Sequence, residues 1–427
     1  MSEQPLDATR IKSGIAAWLG WMFDGLDMHL YTLVAVPFVA LLLGGVAEDS
    51  FEVKEKAGFI QASFLVGWAV GGAFFGVVGD RLGRSRALML TILTYALFTG
   101  LSFFAQTWWQ LMICRFLAAL GIGGEWAVGA SLLSETWPAR WRPWMAAVLQ
   151  SAVNIGVLLA TVAGWLMAGL PHNYIFLVGV LPAFLVLWIR KAVPEPEVWA
   201  NASEREPARI SDLFGPSLRR TTIVTLIVCG LSLSGHWAFT FWSLQQIGTL
   251  AKIEMLAKIE KEEQGKADKD AINSEVQQRK SFSFAVLMGS SVAGNFLAGA
   301  MARIIGYRKA ILSIGIFYAL SLFCAYGVVR SSAEMTWWLI PMGLGQGMFG
   351  LFTMYLPPLF PTMLRTTGAG FCYNFGRLAA AAGTVLLIYL PVHDMREALF
   401  WAGVPFLASV MVGWLLPELA LSDSNDT

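Results

Sequence analysis

The sequence is poor in charge. Lys, Arg, Asp and Glu make up only 14% of its 427 residues, and the formal net charge is +1. Nucleic acid is therefore not predicted as a partner, because phosphate neutralisation needs a concentrated basic surface. Apolar side chains supply 56% of the chain, against about 45 to 50% in a typical soluble domain. The composition predicts that the chain folds in lipid.

Cysteine and histidine are scarce as well, with four of each. The cysteines all fall inside apolar runs, which is typical of small buried hydrophobes and not of a disulfide framework. No Cys/His cluster has the spacing of a metal site, and the glycines at 121–124 lack the Lys-Ser/Thr of a phosphate loop. No metal or other cofactor is predicted. No nucleophile and base pair is found either, so an enzyme is not predicted.

Long apolar runs fill most of the chain, whose mean hydropathy is +0.60. A helix of roughly 20 apolar residues crosses a ~30 Å hydrocarbon layer, and such runs recur between short polar connections. The predicted fold is all-α, with twelve transmembrane helices. The predicted spans are 12–43, 57–79, 86–105, 110–134, 143–169, 173–190, 221–248, 281–302, 309–329, 335–358, 366–390 and 393–416.

Basic residues in the short connections predict the orientation. Lys and Arg are retained on the cytoplasmic side of a membrane, and alternate connections hold most of them, beginning with Arg81, Arg84 and Arg86. Both termini are therefore predicted to be cytoplasmic. We expect a multi-pass protein of the plasma membrane or the bacterial inner membrane.

Two longer polar stretches divide the chain. Residues 191–220 are predicted as a cytoplasmic linker between a six-helix half at 1–190 and a second half at 221–427. Residues 249–280 alternate Lys and Glu with helical spacing, which is typical of a solvated helix, and are predicted as an external insertion.

A repeat relates the two halves. Gly83 aligns with Gly306 at an offset of 306 − 83 = 223, and Arg142 aligns with Arg365 at the same offset, 365 − 142 = 223. Similarity at a fixed offset indicates a duplicated unit. Secondary transporters built from repeats place the binding site between the two copies, near the middle of the membrane.

Residues 76–86, with the sequence GVVGDRLGRSR, resemble the loop motif of the major facilitator superfamily, G-x-x-x-D-R-x-G-R-x-[RK]. The resemblance covers essentially the whole chain and implies the two-bundle transporter fold. Glycines let helix ends approach closely, and the acid and arginines can form a cytoplasmic latch that breaks and re-forms. Arg303 replaces the repeat of Asp80, which argues against a symmetric latch. The expected gating residues are Asp80, Arg81, Gly83, Arg84, Arg86, Glu135 and Arg142.

Four further segments, at 23–27, 115–125, 134–138 and 365–377, resemble the proton symporters of sialic acid, monocarboxylates and aromatic acids within this superfamily. The resemblance implies that protons and a small organic anion cross the lipid bilayer together, by alternating access. A sugar symporter and a metabolite or drug antiporter share the fold and stay open as alternatives. A membrane sensor that binds a solute without moving it is a third alternative.

Ionisable residues inside predicted spans mark candidate ion and solute sites, because they are costly at membrane depth. Asp24 and Asp27 lie on one face of the first span, and two close carboxylates in low dielectric cannot both stay ionised cheaply. The resemblance implies that Asp27 pairs with Arg115. Arg115 could alternate between Asp27 and a substrate carboxylate, or the pair could be a static link between helices. All three are candidates for coupling proton and substrate.

Glu125 lies ten residues beyond Arg115, ~15 Å along a helix, so the two are not predicted to pair. It could relay the proton, orient a sugar hydroxyl, or form a hydrogen bond between helices. Arg377 occupies the repeat position of Asn154 and, with Tyr373 beside it, could bind an anion or be a structural cation.

Two other polar residues of the predicted spans complete the candidates. His236 is more often a satisfied interior histidine than a proton carrier, although its chemistry allows either role. Gln346 could bind the substrate or link two helices.

Overall fold

The computed structural model describes residues 8–48, 50–167, 170–202, 209–261, 269–389 and 395–419. Parts of the predicted linker and insertion, and both chain ends, lie outside the described residues. Every long element among the described residues is a helix. The helices are α1 Ala8–Leu42, α2 Phe51–Leu82, α3 Arg84–Ser102, α4 Trp108–Thr136, α5 Arg142–Leu166, α6 Ala183–Ala192, α7 Glu197–Ala202, α8 Arg219–Lys261, α9 Lys269–Ile305, α10 Tyr307–Tyr326, α11 Ser332–Tyr355, α12 Arg365–Asn374, α13 Gly376–Tyr389, α14 Met395–Trp401 and α15 Gly403–Gly413. Short 3-10 turns cover Ala139–Trp141, His172–Val180, Ile210–Phe214, Pro357–Leu359 and Thr362–Leu364.

The twelve predicted membrane segments are all present as helical segments. Ten segments of the described chain are long and apolar enough to cross a membrane by length and composition. The remaining two are α11 and the broken pair α12 and α13. Helices dominate because a chain in lipid must satisfy its backbone hydrogen bonds within each segment. The predicted all-α fold is confirmed.

Local sequence explains several helix boundaries. The Ser50 side chain accepts a hydrogen bond from Val53 N and begins α2, and Thr107 does the same for α4 through Gln110 N. Ser331 and Glu334 form a capping box at the start of α11. Such caps satisfy backbone N–H groups that have no partner within the helix.

The predicted insertion is a continuation of two membrane helices and not a separate helix. Helix α8 runs on to Lys261 and α9 begins at Lys269. The Glu254 carboxylate accepts hydrogen bonds from the backbone N and the hydroxyl of Ser332, both at 2.6 Å. The extension is therefore attached to the start of α11. We call this side of the bundle the insertion end and the side with residues 79–86 the motif end.

Glycines bring the first and second halves of the chain into close contact. A β-carbon on Gly76 of α2 would lie 2.9 Å from Thr367 Cα of α12. At the repeat position, a β-carbon on Gly299 of α9 would lie 2.7 Å from the Pro143 carbonyl of α5. Only small residues allow such an approach between helices, so these contacts fix how the halves meet around the site.

Candidate functional site

Asp27 and Arg115 form a buried ion pair. Arg115 Nη2 lies 3.0 Å from Asp27 Oδ2, and Nη1 donates to Asp27 Oδ1 at 3.3 Å and to Thr99 Oγ1 at 3.1 Å. The Phe64 and Phe176 rings lie 5.0 and 5.9 Å from the guanidinium. The ion pair expected from the resemblance is therefore present. All of these neighbours belong to the first half of the chain, so Arg115 faces the interior of that bundle.

Asp24 and Glu125 have a different environment from Asp27. They are 0% and 2% exposed, and apart from each other their carboxyl groups have no hydrogen-bond partner in the described part of the chain. A β-carbon on Gly20 would collide with Glu125 Oε1, so the Glu125 carboxyl lies against the backbone of α1 one turn before Asp24. The main charge interaction of Asp24 is with Glu125, ahead of Asp27. The sequence predicted that Asp24 lies near Asp27. The structure shows that Glu125 of α4 also lies next to Asp24.

Arg377 lies at the start of α13, where the two halves meet, and is 2% exposed. Its guanidinium carbon lies 3.8 Å from the Trp68 ring centroid and 5.0 Å from that of Tyr373. Trp126 stacks on Tyr373 with centroids 3.9 Å apart and planes 7° apart. We call Trp68, Trp126 and Tyr373 the aromatic cage.

The charge of Arg377 is not compensated by a direct ion pair. Arg377 donates a hydrogen bond to Asn374 Oδ1, and no carboxylate among the described residues pairs with it. Its Nε atom is buried without a partner in the described chain. Asp24 is the carboxylate that lies close enough to Arg377 for a charge interaction without a direct ion pair. A buried cation without a counterion is costly, so this position suits an anion from outside the chain.

The other candidates have hydrogen-bond environments of their own, although His236 lies close enough to Arg377 for a charge interaction. Asn154 donates to the Met288 carbonyl at 3.3 Å and so links α5 to α9. His236 Nδ1 lies 3.3 Å from the Tyr318 hydroxyl, in the second half. Gln346 is buried and its Nε2 has no partner in the described chain. The repeat symmetry of Asn154 and Arg377 does not bring their side chains to one point.

The binding space expected between the halves is closed in this structure. Arg377 and the three cage residues, which lie where the halves meet, are each at most 3% exposed. The cage rings come from both halves and pack face to face or against the arginine. The candidate residues are therefore in an occluded arrangement, which the ring packing explains.

The motif end holds a charged cluster that joins the two halves. Arg84 is fully buried and binds Glu135 through two hydrogen bonds, of 3.0 and 2.7 Å. It also lies 3.1 Å from Asp80 and donates to the Thr362 carbonyl at 2.7 Å. Arg365 lies 3.1 Å from Glu135. We call Asp80, Arg84, Glu135 and Arg365 the motif cluster.

Asp80 binds the N-terminus of a helix in the other half. Its carboxylate accepts hydrogen bonds from Thr366 N at 3.1 Å, Thr367 N at 2.8 Å and Thr367 Oγ1 at 2.7 Å. These N–H groups belong to the first turn of α12, where a carboxylate is favoured by the helix dipole. The two threonines were missed by sequence reasoning, because neutral residues give no charge signal.

The remaining gating candidates divide by exposure. Arg81 and Arg86 are exposed, and Arg142 donates to the Trp137 carbonyl at 3.3 Å. Gly83 has φ +104°, a conformation that favours glycine. Only Arg84 among the arginines of residues 79–86 enters the motif cluster.

Sequence reasoning also missed Glu195, which accepts hydrogen bonds from Ser85 N and Arg86 N at 3.1 and 3.0 Å. It caps the start of α3. A signal was available, because Pro194-Glu195 repeats as Pro417-Glu418 at the same offset, 418 − 195 = 223.

Comparisons with known proteins agree with this architecture. The family described as "Sugar (and other) transporter" matches residues 38–212. The chain is 26% identical over 421 residues to the sialic acid transporter NanX of Escherichia coli, covering 95% of this chain and 94% of that protein. It is 30% identical over 390 residues to a probable 4-methylmuconolactone transporter of Cupriavidus pinatubonensis, covering 88% and 83%.

A solved structure has the same fold. The proton:xylose symporter XylE superposes with a TM-score of 0.71 at 16% identity, and 96% of each chain is covered. The resemblance of the sequence to the major facilitator superfamily is confirmed, as is the prediction of a transported small-molecule solute rather than an enzymatic reaction. The chain belongs to the major facilitator superfamily of multi-pass membrane transporters.

Proposed function

We propose that the protein is a proton-coupled symporter that carries a small organic acid across the cell membrane by alternating access. The observation that carries the proposal is Arg377, a buried cation between the two halves that has no carboxylate partner in the described chain. The relatives named above support an organic solute of this kind, since one is a sialic acid transporter and the other a probable 4-methylmuconolactone transporter.

The chemistry of Arg377 suits a carboxylate. A guanidinium offers two parallel N–H donors to the two oxygens of one carboxylate, which makes Arg a strong binder of planar anions. The aromatic cage around it provides flat apolar surfaces for the rest of the solute. Arg115, by contrast, has both of its outer nitrogens engaged with Asp27. We therefore assign the substrate carboxylate to Arg377 and a helix-linking role to Arg115.

The motif cluster supplies the gate in this proposal. It joins α2 and α4 to α12 through charge-assisted bonds, so these bonds must break before the motif end can open. The excess of basic residues at this end favours a cytoplasmic position for it and for both termini. The substrate and the proton then enter from the insertion end and leave at the motif end.

The test is uptake by proteoliposomes under an imposed pH gradient, with radiolabelled sialic acid and 4-hydroxybenzoate as probes and xylose as the neutral comparison. We expect a gradient that is acidic outside to drive uptake of at least one acid. Arg377→Gln should lower that uptake by roughly 30-fold or more, because losing one partner of a buried charge pair costs ~2 kcal/mol or more.

Two results would contradict the proposal. One is uptake of xylose alone, which would favour a sugar symporter. The other is proton movement opposite to the solute, which would favour an antiporter. Arg303→Gln is the matched control, because Arg303 is an exposed arginine of the same half and should leave uptake unchanged.

A further inference from the structure

Asp24 and Asp27 lie three residues apart on α1 but differ in how their negative charge is compensated. Both oxygens of Asp27 accept hydrogen bonds from Arg115, so its negative charge is compensated. No other residue of the described chain donates a hydrogen bond to Asp24 or to Glu125, whose carboxyl groups lie within hydrogen-bonding reach of each other. Of these three buried acids, Asp27 is therefore compensated, whereas Asp24 and Glu125 are not.

The groups around the unsatisfied pair provide little compensation. Facing it are Asp27 on α1, Tyr95 on α3 and Arg377 on α13. Tyr95 is fully buried and its hydroxyl has no partner in the described chain. Arg377 is the cation among these groups that acts on Asp24, but it makes no ion pair with it. Two full negative charges in this place would be far more costly than one.

We infer that Asp24 and Glu125 share one proton, and that this carboxyl pair, not the Asp27–Arg115 ion pair, is where the transported proton binds. That this proton is a transported one rests on the proposed function. The pairing itself depends on geometry alone: two buried carboxyl groups, a glycine that admits one of them beside the other, and a buried tyrosine hydroxyl on the neighbouring helix. The proton arrives and departs as H⁺, and no other bond changes.

The same geometry links the proton to the substrate. A solute carboxylate bound to Arg377 would compensate the positive charge that otherwise stabilises the ionised form of Asp24. The protonated form of the pair is then favoured. Linkage is reciprocal, so a proton on the pair equally favours solute binding at Arg377. This coupling needs no movement of Arg115.

The pairing can be tested without any substrate by infrared spectroscopy of the purified protein. A protonated buried carboxyl group has a carbonyl stretch that is separate from those of carboxylates and shifts in D₂O. We expect this band at neutral pH in the unmodified protein and its loss in Glu125→Gln. The Asp27→Asn/Arg115→Gln double variant removes the ion pair without stranding a charge and should keep the band.

The inference is overturned if the unmodified protein lacks the band, or if the double variant loses it while Glu125→Gln keeps it. Glu125→Gln preserves the size of the side chain and removes a buried charge, so we expect it to fold. Glu125→Asp is a second check, because it retains a carboxyl group and should restore the band.

Transport then tests the coupling. Glu125→Gln should lose accumulation driven by the pH gradient while it keeps counterflow exchange of the same labelled acid, because exchange needs no net proton movement. Accumulation by Glu125→Gln would show that the proton binds elsewhere. If the unmodified protein shows the band but no acid is accumulated, the proposed function fails and the shared proton stands. Accumulation driven by Na⁺ in place of a pH gradient, with no band, would overturn both.

Discussion

The two copies of the loop motif share the positive φ of their loop glycine but differ in the charged contacts that they make. Gly83 and Gly306 both have positive φ, +104° and +84°, and both lie beside a glutamate at matching positions, Glu195 and Glu418. In the first copy Asp80 bonds across to the other half. In the second copy its position holds Arg303, which is exposed.

The polar contacts of Arg308 in the second copy remain within its own half. Arg308 lies 3.2 Å from Glu418, in an ion pair that solvent reaches, and donates to the Leu416 carbonyl at 3.3 Å. Positive φ at the loop glycine and close glycine packing are therefore common to both copies. The charged cluster that bonds across the halves is formed around the first copy.

The largest expected loss of stability is at Asp80, in comparison with Arg303 at its repeat position. Asp80→Asn removes the charge from the bonds to Thr366, Thr367 and Arg84, and hydrogen bonds to charged groups contribute about 1.5 to 3 kcal/mol. We expect the free energy of unfolding to fall by about 2 to 3 kcal/mol on this basis. Thermal unfolding of the purified protein measures the loss.

Arg303→Gln is the matched variant in the second copy. Its side chain is exposed, so we expect a change within about 0.5 kcal/mol. Equal losses at both positions would mean that the two copies carry equivalent latches and would contradict the comparison.

A smaller effect is expected from the two glycines. Gly83→Ala and Gly306→Ala both place a β-carbon at positive φ with ψ of 160° and 161°, a conformation that costs about 1 to 3 kcal/mol for an L-residue. Gly83→Ala should cost more, because the Glu195 carboxylate it displaces binds Ser85 N and Arg86 N.

Gly44→Ala isolates the conformational part of this cost. Gly44 has φ +86°, and a β-carbon added there would meet nothing within 4 Å beyond its chain neighbours. Unfolding temperatures for the three variants should rank Gly83→Ala lowest. If Gly306→Ala were the least stable, the carboxylate at Glu195 would not be the more constrained one.

The smallest effect is expected from the two glutamates. Glu195→Gln weakens a cap of α3 and should cost about 1 kcal/mol, the typical value for a helix cap. Glu418→Gln breaks an exposed ion pair, for which about 0 to 1 kcal/mol is usual. Unfolding in low and high salt distinguishes them, since the Glu418 contribution should disappear in high salt.

Several features of the site followed from residues read in order. The spacing of 223 identified the two motif loops, and the resemblance identified Asp27 and Arg115 as partners, which the structure confirms at 3.0 Å. The partner of Asp24 was not accessible in this way. A helical period of 3.6 places Asp24 and Asp27 on one face but does not say which neighbouring helix covers each turn of that face.

The order of residues along the chain was sufficient to establish the class of molecule. Apolar runs of membrane length, short basic connections and a motif repeated at 223 are local or periodic properties, and lipid permits few arrangements of such a chain. Tertiary structure alone decided the chemistry: Glu125 beside Asp24, Arg377 among the rings of Trp68 and Tyr373, and Arg84 as the buried arginine of its loop. The physical reason is that burial and charge compensation depend on contacts between helices far apart in the chain. The spacing of residues within one helix does not indicate which other helix will make those contacts.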